Sequence, residues 1–288
     1  MLFGTEIGID LGTANILIYK ADKGIVLREP SVVTVDTATQ KVIAVGKEAK
    51  AMLGRTPGSV MAIRPLKDGV VADFEKTKKL LQYFIRKATK NYAMGRCKIV
   101  ICIPSGVTDV ERRAVEDCAK DVGGKNVYLL EEPMAAAMGA NLAVSERKGC
   151  MIVDIGGGTT EVAVISMDDI IVSHSERVAG DAIDLSIINL VRKKYNMLIG
   201  ERTAEEIKIN IGSACKTDKE ETMLIKGRNL MTGLPQNIEI TSEEVRKGMT
   251  EVIDKIVQAI KSTLERTPPE LSADIIDNGI TLAGGGAL

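Results

Sequence analysis

Apolar residues recur along the chain at two spacings, which predict strands where every second residue is apolar and helices where every third or fourth is. Residues 5–19 alternate around a glycine and threonine turn and predict a β-hairpin. Short strands are predicted at 31–35 and 41–45, with a turn at 36–40 between them. Glycine and proline interrupt residues 46–73, which are therefore predicted to be loop-rich.

The following stretch predicts a helix, a strand, a second helix and a second strand. The apolar face of the first helix carries Thr77, Leu80, Leu81, Phe84, Ile85 and Ala88. Ile99–Ile103 is a continuous apolar run, which predicts a central strand buried on both faces. The second helix is predicted to bury Val110, Ala114, Val115, Cys118, Ala119 and Val122. With a strand at Val127–Leu130, this alternation indicates an α/β domain with a partly parallel sheet.

The second half of the chain begins with another alternating hairpin, at residues 151–164. A helix is predicted at 182–195. Thr203 and Glu206 match a capping box, which predicts that a further helix starts there and runs through Ile211.

An antiparallel strand pair is predicted at residues 222–240, and a second capping box, Thr241 with Glu244, predicts the start of a long helix. Its predicted apolar stripe comprises Val245, Met249, Val252, Ile253, Ile256, Val257, Ile260 and Leu264. Pro268-Pro269 ends this helix, and Gly279–Leu282 predicts a last strand that runs into a glycine-rich turn. Because such a turn normally leads into a helix, we expect the chain to be truncated at its C-terminus.

Composition narrows the possible functions. The 288 residues are 45% apolar, enough for a sizeable core, and carry a net charge of −1. A neutral chain does not supply the broad basic surface that nucleic acids attract. Aromatic residues make up 3% and tryptophan is absent, so base-stacking platforms are also not expected. We therefore predict no nucleic-acid partner.

The cysteines point to a reduced, cytoplasmic protein without zinc. There are five, they are scattered, and none forms a Cys-x-x-Cys pair. We interpret each as a small buried apolar residue. His174 is the single histidine and is interpreted as a strand surface residue. No signal-peptide pattern or membrane-spanning apolar run of about 20 residues occurs in the sequence.

One short pattern occurs twice, and it carries the candidate chemistry. In the first hairpin Asp10 is followed by Gly12-Thr13, and in the second Asp154 is followed by Gly158-Thr159. Glycine at a hairpin tip lets backbone N–H groups approach a phosphate closely. Two such hairpins facing each other would grip one polyphosphate, with both aspartates beside a Mg²⁺ ion. The alternative is two ordinary hairpins with glycine turns.

The phosphate donors predicted from this pattern are Thr13, Ala14, Asn15, Gly156, Gly157, Gly158 and Thr159. These motifs resemble the actin, heat-shock chaperone and sugar-kinase superfamily. Within it, residues 10–15, 64–69, 200–205 and 268–271 resemble the MreB and Mbl family of bacterial actins, and the resemblance covers the whole chain. It implies an actin-like ATPase fold of class α/β: two α/β domains around a nucleotide cleft, each with a small inserted subdomain.

The resemblance also implies a division into four subdomains. They are 1–33 with 75–143 (IA, first phosphate loop and hinge), 34–74 (IB), 144–180 with 245–288 (IIA, second phosphate loop and adenosine loop) and 181–244 (IIB).

The resemblance assigns roles to further residues. Glu132, which precedes Pro133, is expected to orient the attacking water with help from Thr159; Glu131 is the alternative for that role, and a helix-start acid is the structural alternative. The residues expected to contact the nucleoside are Glu205, Glu206, Ile207, Lys208, Gly285, Gly286, Ala287 and Leu288. For Glu205 and Lys208 the alternative is a surface ion pair.

The implied partners are copies of the chain itself, the inner face of the cytoplasmic membrane and cell-wall elongation proteins. Tyr92 and Met94 lie between Lys90 and Arg96, and the resemblance implies that this loop inserts into the membrane. The alternative is an ordinary loop packed on its own domain. The implied function is a weak, polymerisation-coupled ATPase that uses ATP and Mg²⁺, forms membrane-associated filaments and directs rod-shape elongation.

Two other functions of the same fold remain open. A sugar or acid kinase would need an acceptor pocket with a base, and no residue of the sequence is singled out as one. A monomeric chaperone ATPase would need a substrate-binding domain after the second nucleotide lobe, for which the chain has no room.

Overall fold

The computed structural model describes residues 6–67, 69–89 and 97–288. The described chain divides into two compact units. The first contains the residues up to Arg177 together with Thr263–Leu288, and the second is Val178–Ser262. The division into four subdomains stays a prediction.

The elements of the first half are β1 (Glu6–Leu11), β2 (Asn15–Lys20), β3 (Gly24–Pro30), β4 (Val33–Asp36), β5 (Val42–Val45), α1 (Lys47–Met52), β6 (Val60–Ile63), β7 (Leu66–Lys67), β8 (Val70–Val71), α2 (Phe74–Thr89), β9 (Cys97–Ile103), α3 (Asp109–Asp121), β10 (Gly124–Glu131) and α4 (Glu132–Gly139). Those that follow are β11 (Cys150–Ile155), β12 (Thr160–Ser166), β13 (Asp169–Glu176), α5 (Gly180–Tyr195), β14 (Met197–Leu198), α6 (Glu201–Ile211), β15 (Thr222–Asn229), β16 (Pro235–Thr241), α7 (Ser242–Arg266), α8 (Pro269–Asn278), β17 (Ile280–Ala283) and a 3₁₀ turn at Gly285–Ala287.

The first unit contains a five-stranded sheet in the order β10-β9-β1-β2-β3. The pairs β1–β9 and β9–β10 are parallel, whereas β1–β2 and β2–β3 are antiparallel. One sheet face packs on α2 and α3, where Leu80, Phe84 and Val115 join Ile9 and Ile101 in a buried cluster. The predicted α/β fold with a partly parallel sheet is thereby confirmed.

A second sheet of the first unit has the order β13-β12-β11-β17. Every residue of β12 is buried, and β17 runs parallel to β11. Helix α4 packs against this sheet, with Met134 and Ala137 in one cluster with Ile152 and Ala163. The sheet therefore connects the second hairpin to the chain's C-terminal strand.

The second unit has a sheet of three strands in the order β14-β15-β16. Its core joins Ile187 of α5, Ile207 of α6, Ile225 of β15 and Val245 of α7. The predicted capping box of α7 is present: Glu244 N–H donates to Thr241 Oγ1 at 3.3 Å, and Thr241 N–H donates to Glu244 Oε2 at 3.1 Å.

Several local predictions are wrong. Val100 is 38% exposed, so β9 is buried on one face only, and Val110 is 77% exposed at the start of α3. Val257 of α7 is also exposed, and so is Cys215. These residues share the apolar character of their buried neighbours. The sequence pattern therefore does not reveal where the packed surface stops.

Helix and strand boundaries provide other corrections. Helix α6 begins at Glu201, and its N-cap is Gly200, which forms no side-chain hydrogen bond to the helix. Thr203 and Glu206 therefore lie inside the helix and do not form the predicted capping box. Residues 46–73 also contain the short elements α1, β6, β7 and β8, which the sequence pattern did not predict. Strand β3 and helix α8 were not predicted.

None of the helices in the described part of the chain is long and apolar enough to cross a bilayer. Tyr92 and Met94, which the sequence proposes as membrane anchors, lie outside the described residues.

Candidate functional site

The tips of the two glycine hairpins meet in the first unit. A methyl group added at Gly157 would lie 2.6 Å from Cβ of Ala14, and one added at Gly158 would lie 2.7 Å from Oγ1 of Thr13. Both distances are too short for any side chain larger than hydrogen. The glycines of the second hairpin therefore permit its backbone to lie directly against the first hairpin.

Each hairpin follows from its own strand pattern. Asp10 is the second-last residue of β1, opposite Leu17, and Asp154 occupies the corresponding place in β11, opposite Glu161. The second turn closes with a hydrogen bond from Gly156 N–H to the Thr159 carbonyl at 2.9 Å. The two aspartates consequently occupy equivalent positions, one residue before the ends of the strands that lead into the touching turns.

Four carboxyl groups gather behind this junction: Asp10, Glu132, Asp154 and Glu161. Desolvation and then the Asp154 charge raise the pKa of Asp10 to about 6, although its side chain still reaches solvent. Burial is the largest cause of the raised pKa of Asp154. Burial raises the pKa of Glu132 well above its usual range, with smaller contributions from Asp10, Glu161 and Asp154. The register of β11 and β12 places Asp154 directly opposite Glu161, on the same face of their sheet.

Burial also raises the pKa of Glu161 to about 7, against the opposing effect of its hydrogen bonds. None of the ion pairs formed within residues 6–67, 69–89 and 97–288 includes any of the four carboxyl groups. Such a concentration of acidic groups favours a bound cation, which would lower their mutual repulsion.

The donor set fits Mg²⁺ bound together with a phosphate. Among the described residues, no three His, Cys, Asp or Glu side chains converge as a complete set of metal ligands. Mg²⁺ does not require one, since it usually takes one or two carboxylates and fills its other positions with phosphate oxygens and water. Asp10 and Asp154 are the carboxylates that adjoin the hairpin tips, and they are the residues that would hold the ion.

The predicted C-terminal loop lies beside the second hairpin. Strand β17 pairs with β11 so that Ala283 is opposite Asp154. Gly284 has φ of +81°, and a side chain there would collide with Asp154 Oδ1. The turn Gly285–Ala287 follows directly. The structure therefore brings predicted nucleoside residues of this loop close to a predicted metal ligand.

The remaining predicted nucleoside residues lie on α6 in the second unit. Lys208 Nζ forms an ion pair with Asp184 at 2.8 Å and donates to the Gly180 carbonyl at 3.1 Å. Glu206 pairs with Arg202 at 3.0 Å, and the Ile207 side chain is buried in the core of this unit. Nucleotide contacts of Glu205, Glu206, Ile207 and Lys208 stay predictions.

The two adjacent glutamates have different surroundings. Glu131 is the last residue of β10 and accepts a hydrogen bond from Ser105 Oγ at 2.7 Å. Glu132 is the first residue of α4 and faces the acidic group described above.

Sequence reasoning missed Ser105, Glu161 and Cys102. Cys102 pairs with Asp10 across the sheet, and burial together with the nearby carboxylates raises the pKa of its thiol to about 12. For Glu161 a signal was available, because it is the one charged residue in the apolar run 160–165.

A cavity of about 290 Å³ borders this region on the side of Ser105 and Ser175. Its wall also includes Pro104, Glu111 and Arg177, and it contains none of the hairpin-tip residues. The cavity therefore does not coincide with the phosphate site that the hairpins predict.

The fold places this chain among actin-like proteins. MreB5 of Spiroplasma citri, solved bound to ADP, superposes with a TM-score of 0.94 at 42% identity, over 99% of this chain and 85% of that chain. The same protein bound to AMPPNP gives a TM-score of 0.95. A MamK double helical filament shares the fold with a TM-score of 0.80 at 20% identity, over 98% of this chain and 86% of that chain.

Sequence comparison defines the family. The sequence model of the MreB/Mbl protein family matches residues 4–288. The cell shape-determining protein Mbl of Bacillus cereus is 53% identical over all of this chain and 86% of its own length. The cell shape-determining protein MreB of Escherichia coli is 51% identical over all of this chain and 84% of its own length. The chain belongs to the MreB/Mbl family of actin-like, cytoskeletal cell shape-determining proteins.

Proposed function

We propose that this protein binds and hydrolyses ATP with Mg²⁺ and polymerises into filaments that associate with the inner face of the cell membrane and direct rod-shape cell-wall elongation. The observation that carries the proposal is the direct contact between the two glycine hairpins, with Asp10 and Asp154 immediately behind it. Nucleotides in the Spiroplasma citri relative support the same ligand class for this chain.

Different residues of the site would bind the phosphates, hold the metal ion and position the attacking water. Backbone N–H groups of residues 13–15 and 157–159 would bind the phosphates from two sides, Gly156 would shape the second loop by closing its turn, and Asp10 and Asp154 would hold Mg²⁺. When bound, Mg²⁺ would supply positive charge to the phosphate oxygens. Glu132 would orient the attacking water, assisted by Thr159. Such a site acts by positioning and electrostatics, so we expect slow hydrolysis outside the filament.

Filaments would make weak membrane contacts effective. In the proposed anchor, Tyr92 and Met94 insert into the bilayer while Lys90 and Arg96 contact anionic lipid, at about 1 kcal/mol per basic residue. Repetition of this contact along a polymer raises the overall avidity without new contacts. The filament structure of MamK supports assembly only through the shared fold.

Sedimentation with and without Mg·ATP, combined with phosphate release, tests the proposal. We expect the wild type to pellet with Mg·ATP and to release phosphate without an added acceptor. Asp154→Ala is expected to lose Mg²⁺-dependent nucleotide binding in calorimetry, because the metal loses a carboxylate. Asp22→Ala, an exposed turn aspartate, is the control and should bind as the wild type does.

Two results would contradict this proposal. Unchanged Mg·ATP affinity in Asp154→Ala would exclude the two-hairpin site. Nucleotide turnover that requires an added sugar or carboxylic acid, without any pelleted polymer, would favour a phosphotransferase.

A further inference from the structure

Glu161 is a buried carboxylate that accepts two hydrogen bonds, one on each oxygen. It lies on β12 and is 1% exposed. Its Oε1 accepts from Ser175 Oγ at 2.6 Å, and its Oε2 accepts from Ser105 N–H at 3.1 Å. Burying a carboxylate carries a desolvation cost that an apolar residue would avoid. These two bonds offset part of that cost and fix the orientation of the side chain.

Ser105 connects this carboxylate to a second one in the other sheet. It follows Pro104 in the loop after β9, and while its N–H donates to Glu161, its hydroxyl donates to Glu131 Oε2 at 2.7 Å. Glu161 belongs to the sheet of β11, whereas Glu131 ends β10 in the five-stranded sheet. Ser105 thus bridges the five-stranded sheet and the sheet of β11 through one residue.

The bridge ends where β10 becomes α4. Glu131 is the N-cap of α4 and makes no side-chain cap to the helix, because its carboxylate is directed to Ser105. Glu132 is the next residue. A displacement of Glu131 would therefore rotate the start of α4 and with it the Glu132 carboxylate, which faces Asp10 and Asp154.

We propose that Glu161, acting through Ser105 and Glu131, is a positioning residue that sets the direction of Glu132 for hydrolysis. The inference rests on the proposed function, since it deepens the role of the same site. In this role Glu161 holds the loop after β9 by a hydrogen bond and is not required to contact the reacting atoms. Its effect should consequently fall on turnover rather than on nucleotide binding.

Three substitutions separate positioning from general stability. Ser105→Ala removes only the hydroxyl bond to Glu131, and it does so at the wall of the 290 Å³ cavity rather than in the densest part of the core. Glu161→Leu removes both bonds of the carboxylate. Glu161→Gln keeps an oxygen that can accept from Ser105 N–H, and its amide can donate to Ser175 Oγ.

Single-turnover phosphate release is measured at matched polymer mass, together with the Kd of Mg·ATP. Ser105→Ala and Glu161→Leu are expected to release phosphate roughly tenfold more slowly, because small misplacements of a catalytic group are costly. Their Kd for Mg·ATP should stay within about twofold of wild type, since the contacts that bind the nucleotide before hydrolysis are preserved. Glu161→Gln should restore most of the rate lost in Glu161→Leu.

Ser145→Ala is the matched control. It removes a serine-to-carboxylate hydrogen bond of the same length, 2.7 Å, between Ser145 and Asp168 on the surface. It should release phosphate at the wild-type rate.

Each other result counts against the inference. Phosphate release by Ser105→Ala at the wild-type rate would overturn the inference. This variant tests the inference even if Glu161→Leu does not fold. Loss of affinity in parallel with loss of rate would assign Glu161 a purely structural role. Absence of ATP hydrolysis by the wild type would refute the proposed function, which distinguishes that failure from failure of the bridge.

Discussion

The backbone N–H of Gly69 donates a hydrogen bond to the Thr13 hydroxyl, with an N–O distance of 2.9 Å. Gly69 adopts a φ of +76°, and a side chain there would lie 2.5 Å from Pro104 and 3.3 Å from Cγ2 of Thr159. Gly69 therefore contacts the first glycine hairpin and lies beside Thr159 of the second.

Gly69→Ala is expected to destabilise the protein by more than its backbone strain alone. A left-handed conformation costs an alanine about 1–2 kcal/mol, and overpacking against Pro104 adds about 1–3 kcal/mol. Gly54→Ala is the control, since Gly54 has a φ of +69° but open space around its Cβ position. Urea unfolding measures both variants. Equal losses of stability would show that the turn yields to the added methyl group without cost.

Glu132→Ala is expected to keep nucleotide binding and to slow phosphate release, because only the positioning of water is lost. Glu131→Ala should slow release less, since Glu131 acts on Glu132 through the start of α4. Calorimetry and a phosphate-release assay on both variants test this pair. If Glu132→Ala releases phosphate at the wild-type rate while Glu131→Ala is inactive, the hydrolytic role belongs to Glu131.

Glu29 is expected to make stability depend on pH. Burial alone would raise its pKa, but hydrogen bonds from Lys87 Nζ and Lys47 N–H outweigh burial and lower the pKa below 4.5. A depressed folded-state pKa adds stability above the unfolded-state pKa, and this stability is lost as pH falls through the folded-state pKa. Glu29→Gln should therefore cost roughly 1 kcal/mol at pH 7 and progressively less below about pH 4.5.

Glu6→Gln is the control for that experiment. Glu6 pairs with Lys98 at 3.1 Å, but both side chains are more than half exposed. The loss of folding stability in Glu6→Gln should therefore be near zero at every pH. Urea unfolding of both variants over pH 3–7 measures the difference. A constant gap between Glu29→Gln and wild type across this range would contradict the assignment.

Replacing Tyr92 and Met94 together with serine is expected to weaken flotation with anionic liposomes while leaving nucleotide binding intact. The loss should exceed that caused by salt alone, because apolar insertion is not screened as charge contacts are. Replacing exposed Leu230 and Met231 with serine gives a control of equal chemistry. Equal flotation of the Tyr92/Met94 variant and wild type, at matched polymer mass, would exclude this loop as the anchor.

Local sequence was sufficient for the hairpins and for most helices. The apolar alternation on either side of Gly12 and Gly158, and the helical spacing of residues 77–88, depend on neighbours within a few residues. Both patterns reappear as β1–β2, β11–β12 and α2. The duplication of Asp, Gly and Thr also led to the prediction that the two turns share one chemistry, since each copy is complete by itself.

Only the tertiary structure decided which of these pieces touch. Ser105 meets Glu161, 56 residues away, and Glu131, 26 residues away, and no short-range pattern encodes either contact. The exposure of Val100 and Val110 was likewise undetermined, because apolar character does not specify which neighbour covers a side chain. Strand pairing and sheet packing join residues that are far apart along the chain. The sequence alone therefore predicted the two glycine hairpins, whereas the bridge behind Glu132 became visible only once the two sheets were assembled.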